Sequence, residues 1–238
     1  MVNFTSDTYQ MKREILTFSR KISRHLNKGT PSKALNSYLS LLRKWVPDEP
    51  VIHIDDSDIV KPDGYKFEAL GTVRDGSKST DTKNVYEKGY HVTEACVLTK
   101  NAQPVSIFSK IHSSKEKNFT STNDVTFSAM KRGADMFGHA TFVMDRGYDD
   151  NKMFLKMDEL KQDYVIRLTS KRWLFFHGKW VSATHLRNQR KGKIKTPLLF
   201  RGKYHDAYLS HVKAQITASK KDIYLVLVYG TSHDACHE

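Results

Sequence analysis

Apolar residues recur at three- and four-residue steps through Met11, Ile15, Phe18, Ile22 and Leu26, which predicts a helix from Ser6 to about Asn27. Gly29-Thr30-Pro31-Ser32 breaks it and starts a second helix, whose stripe is Leu35, Tyr38, Leu39, Leu41 and Leu42 and which ends before Pro47. The pattern then changes to strands at Val51–Ile59, Tyr90–Leu98 and Pro104–Ile111, the last two joined by a turn at Asn101-Ala102-Gln103-Pro104. Lys66 to Gly89, polar and glycine-containing, reads as an exposed loop. Asp124 is placed to cap a helix that runs through Met136 and stops at Gly138. A strand from Ala140 to Asp145 follows, then a helix capped by Asp149 or Asp150 with the stripe Met153, Phe154, Met157 and Leu160, then a strand from Tyr164 to Leu168. Two more strands are expected around Ala207–Thr217 and Ile223–Tyr229. The methionines and aromatics on the helical stripes are core residues.

Strand, hairpin, helix, strand, helix, strand is an α/β order with a mixed sheet. The strand ending at Asp145 returns through a helix and so should run parallel to one of its predecessors. The expected organisation is a helical basic region over 1–48, a catalytic core over 49–170 and a β-rich basic segment over 171–238. The N-terminal helices read equally well as a small basic DNA-binding element and as a cap packed on the core. No apolar run approaches the roughly 18 residues of a membrane span, and Met1 to Gln10 lacks the apolar stretch of a signal peptide. The expected location is therefore the cytoplasm, in association with the nucleoid, and no membrane partner is expected. Cys96 and Cys236 have neither metal-ligand spacing nor a disulfide framework around them.

Charge sharpens this picture. The formal net charge is +13, which points to a polyanionic partner. Residues 1–50 carry nine Lys or Arg against four acids, residues 51–150 thirteen against fifteen, and residues 151–238 seventeen against seven. An acidic middle is thus flanked by basic ends. From Lys171 to Lys203 there are ten Lys or Arg and no acid, with Trp173, Phe175, Phe176 and Trp180 interleaved. Basic residues alternating with aromatics suit a surface that tracks phosphates and stacks bases. Lys171, Arg172, Arg187, Arg190, Lys191 and Lys193 are the candidate DNA contacts.

The candidate chemistry lies in the acidic middle. The apolar run Val51-Ile52-His53-Ile54 leads into Asp55, Asp56 and Asp58, and Ala140 to Met144 leads into Asp145. Two such strands side by side would bring two acids together, and oxygen ligands of this kind suit Mg²⁺ or Mn²⁺. Asp55 and Asp145 are the candidate catalytic and metal-ligating residues. Asp56 is the alternative register for Asp55, since successive strand residues point to opposite faces and both cannot line one pocket. A glycine-rich phosphate loop, a nucleophile elbow and a Cys/His metal pattern are all missing from the sequence.

The segments Ile54-Asp55-Asp56-Ser57-Asp58-Ile59-Val60-Lys61-Pro62, Phe67-Glu68-Ala69-Leu70-Gly71, Val73-Arg74-Asp75-Gly76-Ser77, Gly89-Tyr90-His91-Val92-Thr93-Glu94 and Val143-Met144-Asp145-Arg146-Gly147-Tyr148 together resemble the core of bacterial insertion-sequence DDE transposases. The likeness runs from about Val51 to Gly230. It implies a ribonuclease H-like mixed sheet with flanking helices, in which Asp55 and Asp145 match the first two catalytic aspartates and a β-rich insertion follows the second. It implies Mg²⁺ or Mn²⁺ as cofactor, double-stranded DNA at transposon ends and target as partner, and allows a homo-oligomer. The family's third acid is a glutamate in a Tyr-Arg-Glu-Lys pattern, and no such pattern occurs here. On this reading the chain is an incomplete transposase copy without strand-transfer activity of its own. The alternatives are a non-catalytic DNA-binding fragment that represses transposition and a related nuclease of the same fold.

Overall fold

The computed structural model describes residues 31–80, 82–200, 202–218 and 221–230. The helix expected over 6–27 lies outside them. The chain divides into two compact units, residues 1–47 and 48–238. In the first, helix α1 (Ser32–Leu42) buries Leu39 and Leu42 and leaves Leu35, Tyr38 and Leu41 exposed.

In the second unit, period-two alternation shapes strand β1 (Val51–Val60), whose Ile52 and Ile54 are buried on one face while His53 and Asp55 point the other way. The strand does not end at its aspartates. It continues through Asp55, Asp56 and Asp58, paired antiparallel and residue by residue with β3 (Tyr86–Leu98). The cross-strand partners there are Glu94, Thr93 and His91, so the acidic stretch stays extended because β3 supplies its hydrogen bonds.

On its other side β3 pairs with two strands along different stretches, β2 (Gly71–Arg74) near its start and β4 (Pro104–His112) further on. The segment expected to be an exposed loop therefore holds a strand, with Gly71 and Val73 buried. Four residues with two glycine neighbourhoods give too short an alternation to stand out in sequence. Behind β2, Asp75 folds the chain back: its Oδ1 accepts from Ser77 N at 3.0 Å and Ser77 Oγ at 2.6 Å.

Helix α2 (Thr122–Phe137) then carries the chain across one face of the sheet. Ser121, not Asp124, is its N-cap: Ser121 Oγ accepts from Asp124 N at 3.2 Å and donates to Asp124 Oδ2 at 2.8 Å, a reciprocal arrangement in the first turn. Gly138 ends the helix at φ 80°. Gly133 faces the sheet, where an added Cβ would stand 2.7 Å from Ile52 Cδ1 and 3.0 Å from Phe142 Cζ. The helix seats this closely because position 133 has no side chain.

Strand β5 (Thr141–Met144) returns parallel to β1, helix α3 (Asn151–Leu160) crosses again, and β6 (Asp163–Ile166) runs parallel to β5. The first sheet is thus mixed, in the order β2-β3-β1-β5-β6, with β4 also on β3. Its helix-facing core is Ile52, Ile54, Ala95, Val97, Phe142 and Met144, packed with Ala129 and Met130 of α2.

The basic segment forms a second sheet, in the order β11-β10-β7-β8 with β9 also on β10. Its elements are β7 (Trp173–Phe176), β8 (Lys179–Ser182), the short helix α4 (Ala183–Asn188), β9 (Ile194–Phe200), β10 (Lys203–Ile216) and β11 (Asp222–Gly230). The β7–β8 hairpin turns on His177 and Gly178, both at positive φ, the two-residue turn whose twist matches its strands. The inner face, including Leu174, Val212, Ile216 and Leu225, packs with Leu186 of α4 onto Phe154 of α3 and onto Tyr164 and Ile166 of β6.

Gly89 lies in β3 where it is flanked by both β1 and β2, and a Cβ there would meet Ile59 O at 2.3 Å and Val73 Cγ2 at 2.4 Å. Because the first of these is backbone, Gly89→Ala should force the sheet apart and cost about 1–3 kcal/mol, as overpacking does. Thermal denaturation should show a clear drop in Tm for Gly89→Ala and little change for Gly76→Ala, whose Cβ would meet nothing within 4 Å.

Candidate functional site

The parallel pairing of β1 with β5 ends at Ile54 opposite Met144. The next residue on each strand is an aspartate, so Asp55 and Asp145 stand side by side, on strands separated by about 4.8 Å. Asp145 terminates β5 and caps a single 3₁₀ turn, Arg146–Tyr148, accepting from Gly147 N at 2.6 Å. A Cβ at position 147 would lie 2.9 Å from that carboxylate oxygen, so glycine leaves room for the capping bond. Asp55 accepts from Asp56 N at 3.0 Å. Partial burial raises the Asp55 pKa first, and the charges of Asp145 and then Asp56 raise it further, against the lowering effect of the Asp56 N–H.

Asp56 is held differently. Its Oδ1 accepts from Thr93 Oγ1 at 2.5 Å, and Thr93 Oγ1 lies 3.0 Å from His112 Nε2. His112 is fully buried, stacked between the rings of His91 and Phe119, and His91 Nδ1 lies 2.6 Å from Asp58 Oδ1. Burial holds the His112 imidazole below its ordinary pKa, and the neighbouring His91 charge adds to this. Tyr148 completes the group. It is 5% exposed, and its hydroxyl is closed off from solvent with no hydrogen-bond partner. Its phenol is driven strongly upward in pKa by burial first, then by the charge of Asp56, with Asp55 and Asp145 adding to it.

Among the described residues no three His, Cys, Asp or Glu side chains converge to hold an ion by themselves. The donor set at Asp55 and Asp145 is a pair of solvent-facing carboxylates. That chemistry fits Mg²⁺, which is commonly bound by one or two carboxylates and completes its shell with water and substrate phosphate. A third protein acid is not supplied by the described residues. Cys96 is a free thiol whose pKa is raised by burial and by Glu94, the reverse of an activated nucleophile.

The six basic residues expected to touch DNA separate into two groups. Arg172 is an internal brace: Nε donates to Asp149 Oδ1, Nη1 to Asn151 Oδ1 and Nη2 to Asp149 O, each at 2.7 Å, and the guanidinium lies over the Phe154 ring. Asp149 also accepts from Thr169 N at 2.7 Å and Thr169 Oγ1 at 2.8 Å, and its side chain is 1% exposed. Of the two aspartates read as alternative helix caps, Asp150 does the capping, through Lys152 N at 3.0 Å, and Asp149 does not. Arg187 lies over Tyr229 and Arg190 over Phe176. Lys171, Lys191 and Lys193 are exposed. The outer face of the second sheet presents Trp173, Trp180, Tyr224 and Val226 to solvent, alongside His211 and Lys213. No helix among the described residues is long and apolar enough to cross a membrane.

Comparison with protein-family models and with curated proteins gives no match to this chain.

Thr93, His112 and Tyr148 were not singled out by the sequence pattern, although Thr93 and Tyr148 lie inside the quoted motifs. The antiparallel register that sets Thr93 opposite Asp56 reveals the first, the pairing of β4 with β3 the second, and the turn that follows Asp145 the third.

Two predictions follow from these partners. An acid that titrates higher in the fold than in the unfolded chain binds protons on folding, so its contribution to stability falls as pH rises through that range. In metal-free buffer Asp55→Asn should melt above wild type at neutral pH. The gap should close as pH falls toward the ordinary aspartate value of 3.8; a gap independent of pH would contradict the assigned burial and repulsion. Arg172→Ala strands a buried carboxylate and should cost about 3–5 kcal/mol by denaturant titration. Lys191→Ala, at an exposed position, should leave stability within about 0.5 kcal/mol of wild type.

Proposed function

We propose that this chain carries the larger part of a ribonuclease H-like DNA transposase core, and that it engages double-stranded DNA through its basic second sheet. The observation that carries the reading is the placement of Asp55 and Asp145 on neighbouring parallel strands. Four strands joined by antiparallel pairing, the short β2 among them, followed by two parallel strands reached through helices support the ribonuclease H-like assignment. The five motif segments that resemble insertion-sequence transposases cluster here: β1 with its acids, the β2 region, β3 with Thr93, and the turn after β5. In this reading Asp55 and Asp145 would hold Mg²⁺ or Mn²⁺, which would supply charge stabilisation at a scissile phosphate and an activated water. The exposed basic and aromatic side chains of the second sheet hold the phosphate backbone in a salt-dependent manner.

A second reading is favoured by one observation, the lack of a third converging acid among the described residues. It makes the chain a DNA-binding protein that occupies transposon ends without cutting them. Both readings expect no strand transfer by the purified chain alone.

Plasmid and element-end duplexes incubated with the purified chain and Mg²⁺ or Mn²⁺ separate them. The first reading expects metal-dependent nicking that Asp55→Asn and Asp145→Asn each reduce by about 100-fold or more, with DNA affinity retained. DNA binding without nicking in wild type decides for the second. Loss of DNA binding from the chain as a whole would defeat both.

A further inference from the structure

Strands β9 and β10 run on together past the rest of the second sheet. Among the described residues β10 has β11 beside it only from Ala207, opposite Gly230, whereas its pairing with β9 continues outward for four more pairs, from Asp206 with Pro197 to Lys203 with Phe200. Burial changes at the same point. From Ala207 inward β10 buries Ser210, Val212, Ala214 and Ile216 in turn, but residues 203–206 are all exposed, as are Pro197, Leu198 and Leu199 opposite them. Both faces of this ribbon are open. Gly202 stands at φ 75° in the two-residue link at its tip.

A two-stranded ribbon is marginally stable in water by itself. This one nevertheless sets Leu199, 62% exposed, beside Tyr204, 76% exposed, on one face, and Leu198 on the other. Charge and shape select the partner for that surface. From Lys191 to Lys203 the chain has five Lys or Arg and no acid, and Lys191, Lys193, Lys195 and Lys203 are exposed. The acid within the ribbon, Asp206, is met by Lys195 at 2.6 Å. Lysines on an edge strand, and a proline that withholds an N–H, discourage pairing with the strand of a second copy. The dimensions match duplex DNA. Strands about 4.8 Å apart that rise about 3.4 Å per residue carry the four outer pairs roughly 14 Å from the sheet. The major groove is about 12 Å wide and about 8.5 Å deep and admits such a ribbon, whereas the minor groove, about 6 Å wide, does not.

We propose that the β9–β10 ribbon enters the major groove of duplex DNA, where Leu198, Leu199 and Tyr204 meet thymine methyl groups and Lys193 and Lys203 meet the flanking phosphates. The inference rests on the DNA-binding part of the function proposed above, and adds to it the groove entered and the base feature read. The C5-methyl of thymine is the apolar group that the major groove displays, and the minor groove has no counterpart. Exposed apolar side chains at the end of a basic ribbon therefore find their complement there.

The test uses the full chain with an A·T-rich duplex and with the same duplex carrying uracil in place of thymine, an exchange that removes the methyl groups and keeps the phosphates and base pairing. Wild type should bind the uracil duplex about fourfold more weakly for each methyl lost from the contact, the worth of one buried carbon group. Leu199→Ser combined with Tyr204→Ser should weaken binding to the thymine duplex and lose most of that discrimination. Lys203→Ala should weaken binding to both duplexes equally and reduce the salt slope by about 1. A wild-type chain that binds the two duplexes equally well would overturn the groove assignment while the DNA-binding reading stands, and this comparison depends on no variant. A wild-type chain that binds neither duplex defeats that reading and this inference together. Sedimentation of the free chain examines the competing occupant: a dimer that the Leu199→Ser, Tyr204→Ser variant dissociates would assign the ribbon to a second copy and overturn the proposal.

Discussion

The parallel hydrogen bonding of β1 to β5 is the constraint on which the rest of the site depends. Four register pairs, from Val51 with Thr141 to Ile54 with Met144, set the two strands level, and the first residue past them on each is an acid. A parallel neighbour requires a crossover, so the chain needs α2 between β4 and β5. The crossover must lie flat on Ile52 and Phe142, and Gly133 permits that approach. A shift of one residue in this pairing would turn Asp145 to the other face and leave Asp55 beside Met144. The apolar partners Ile52 and Phe142, both fully buried, oppose that shift because it would expose them.

The turn after Asp145 carries a second set of obligations. Within six residues it caps itself through Asp145, buries Tyr148, anchors the second sheet through Asp149 and caps α3 through Asp150. The Asp149–Arg172 pair is buried, and its charges are met by five hydrogen bonds that leave few lone pairs unserved. Such a pair adds little net stability over an apolar substitute, but it fixes geometry, since only one arrangement satisfies every donor. Here it ties the root of the basic sheet to the turn that presents Asp145. The surface expected to hold phosphates and the acid expected to act on them therefore share an anchor.

Periodicity made most of the first sheet legible. The strands around Val51, Tyr90 and Pro104, the helices on the Met130 and Met157 stripes and the pair Asp55 and Asp145 are read from local pattern, because a buried face repeats every two or 3.6 residues. What escaped is what depends on distant partners. Strand β2 is four residues long and gains its order from pairing with β3. Asp149 and Asp150 are indistinguishable as caps by sequence, and only a partner 23 residues away, Arg172, tells them apart. The same pair explains why Arg172 counts toward the basic segment's charge without being available to DNA. Thr93 meets Asp56 across 37 residues, so its role was visible only once the register was known.

Adjacent aspartates in a strand pose a problem that the fold answers on both faces. Side chains alternate, so Asp55 and Asp56 leave the strand on opposite faces, and both are exposed. Thr93 meets one oxygen of Asp56, and burial holds the His112 imidazole behind it below its ordinary pKa. Partial burial first, and then the neighbouring charges of Asp145 and Asp56, raise the Asp55 pKa. Compensation has to come from elsewhere, and the chain offers residues 151–238 with their excess of ten positive charges. Lys179, Lys195, Lys203 and Lys213 of that segment lie on strands of the second sheet, whereas Asp55 and Asp145 belong to the first. On the proposed reading, a polyanion with its attendant cations would satisfy both fields at once.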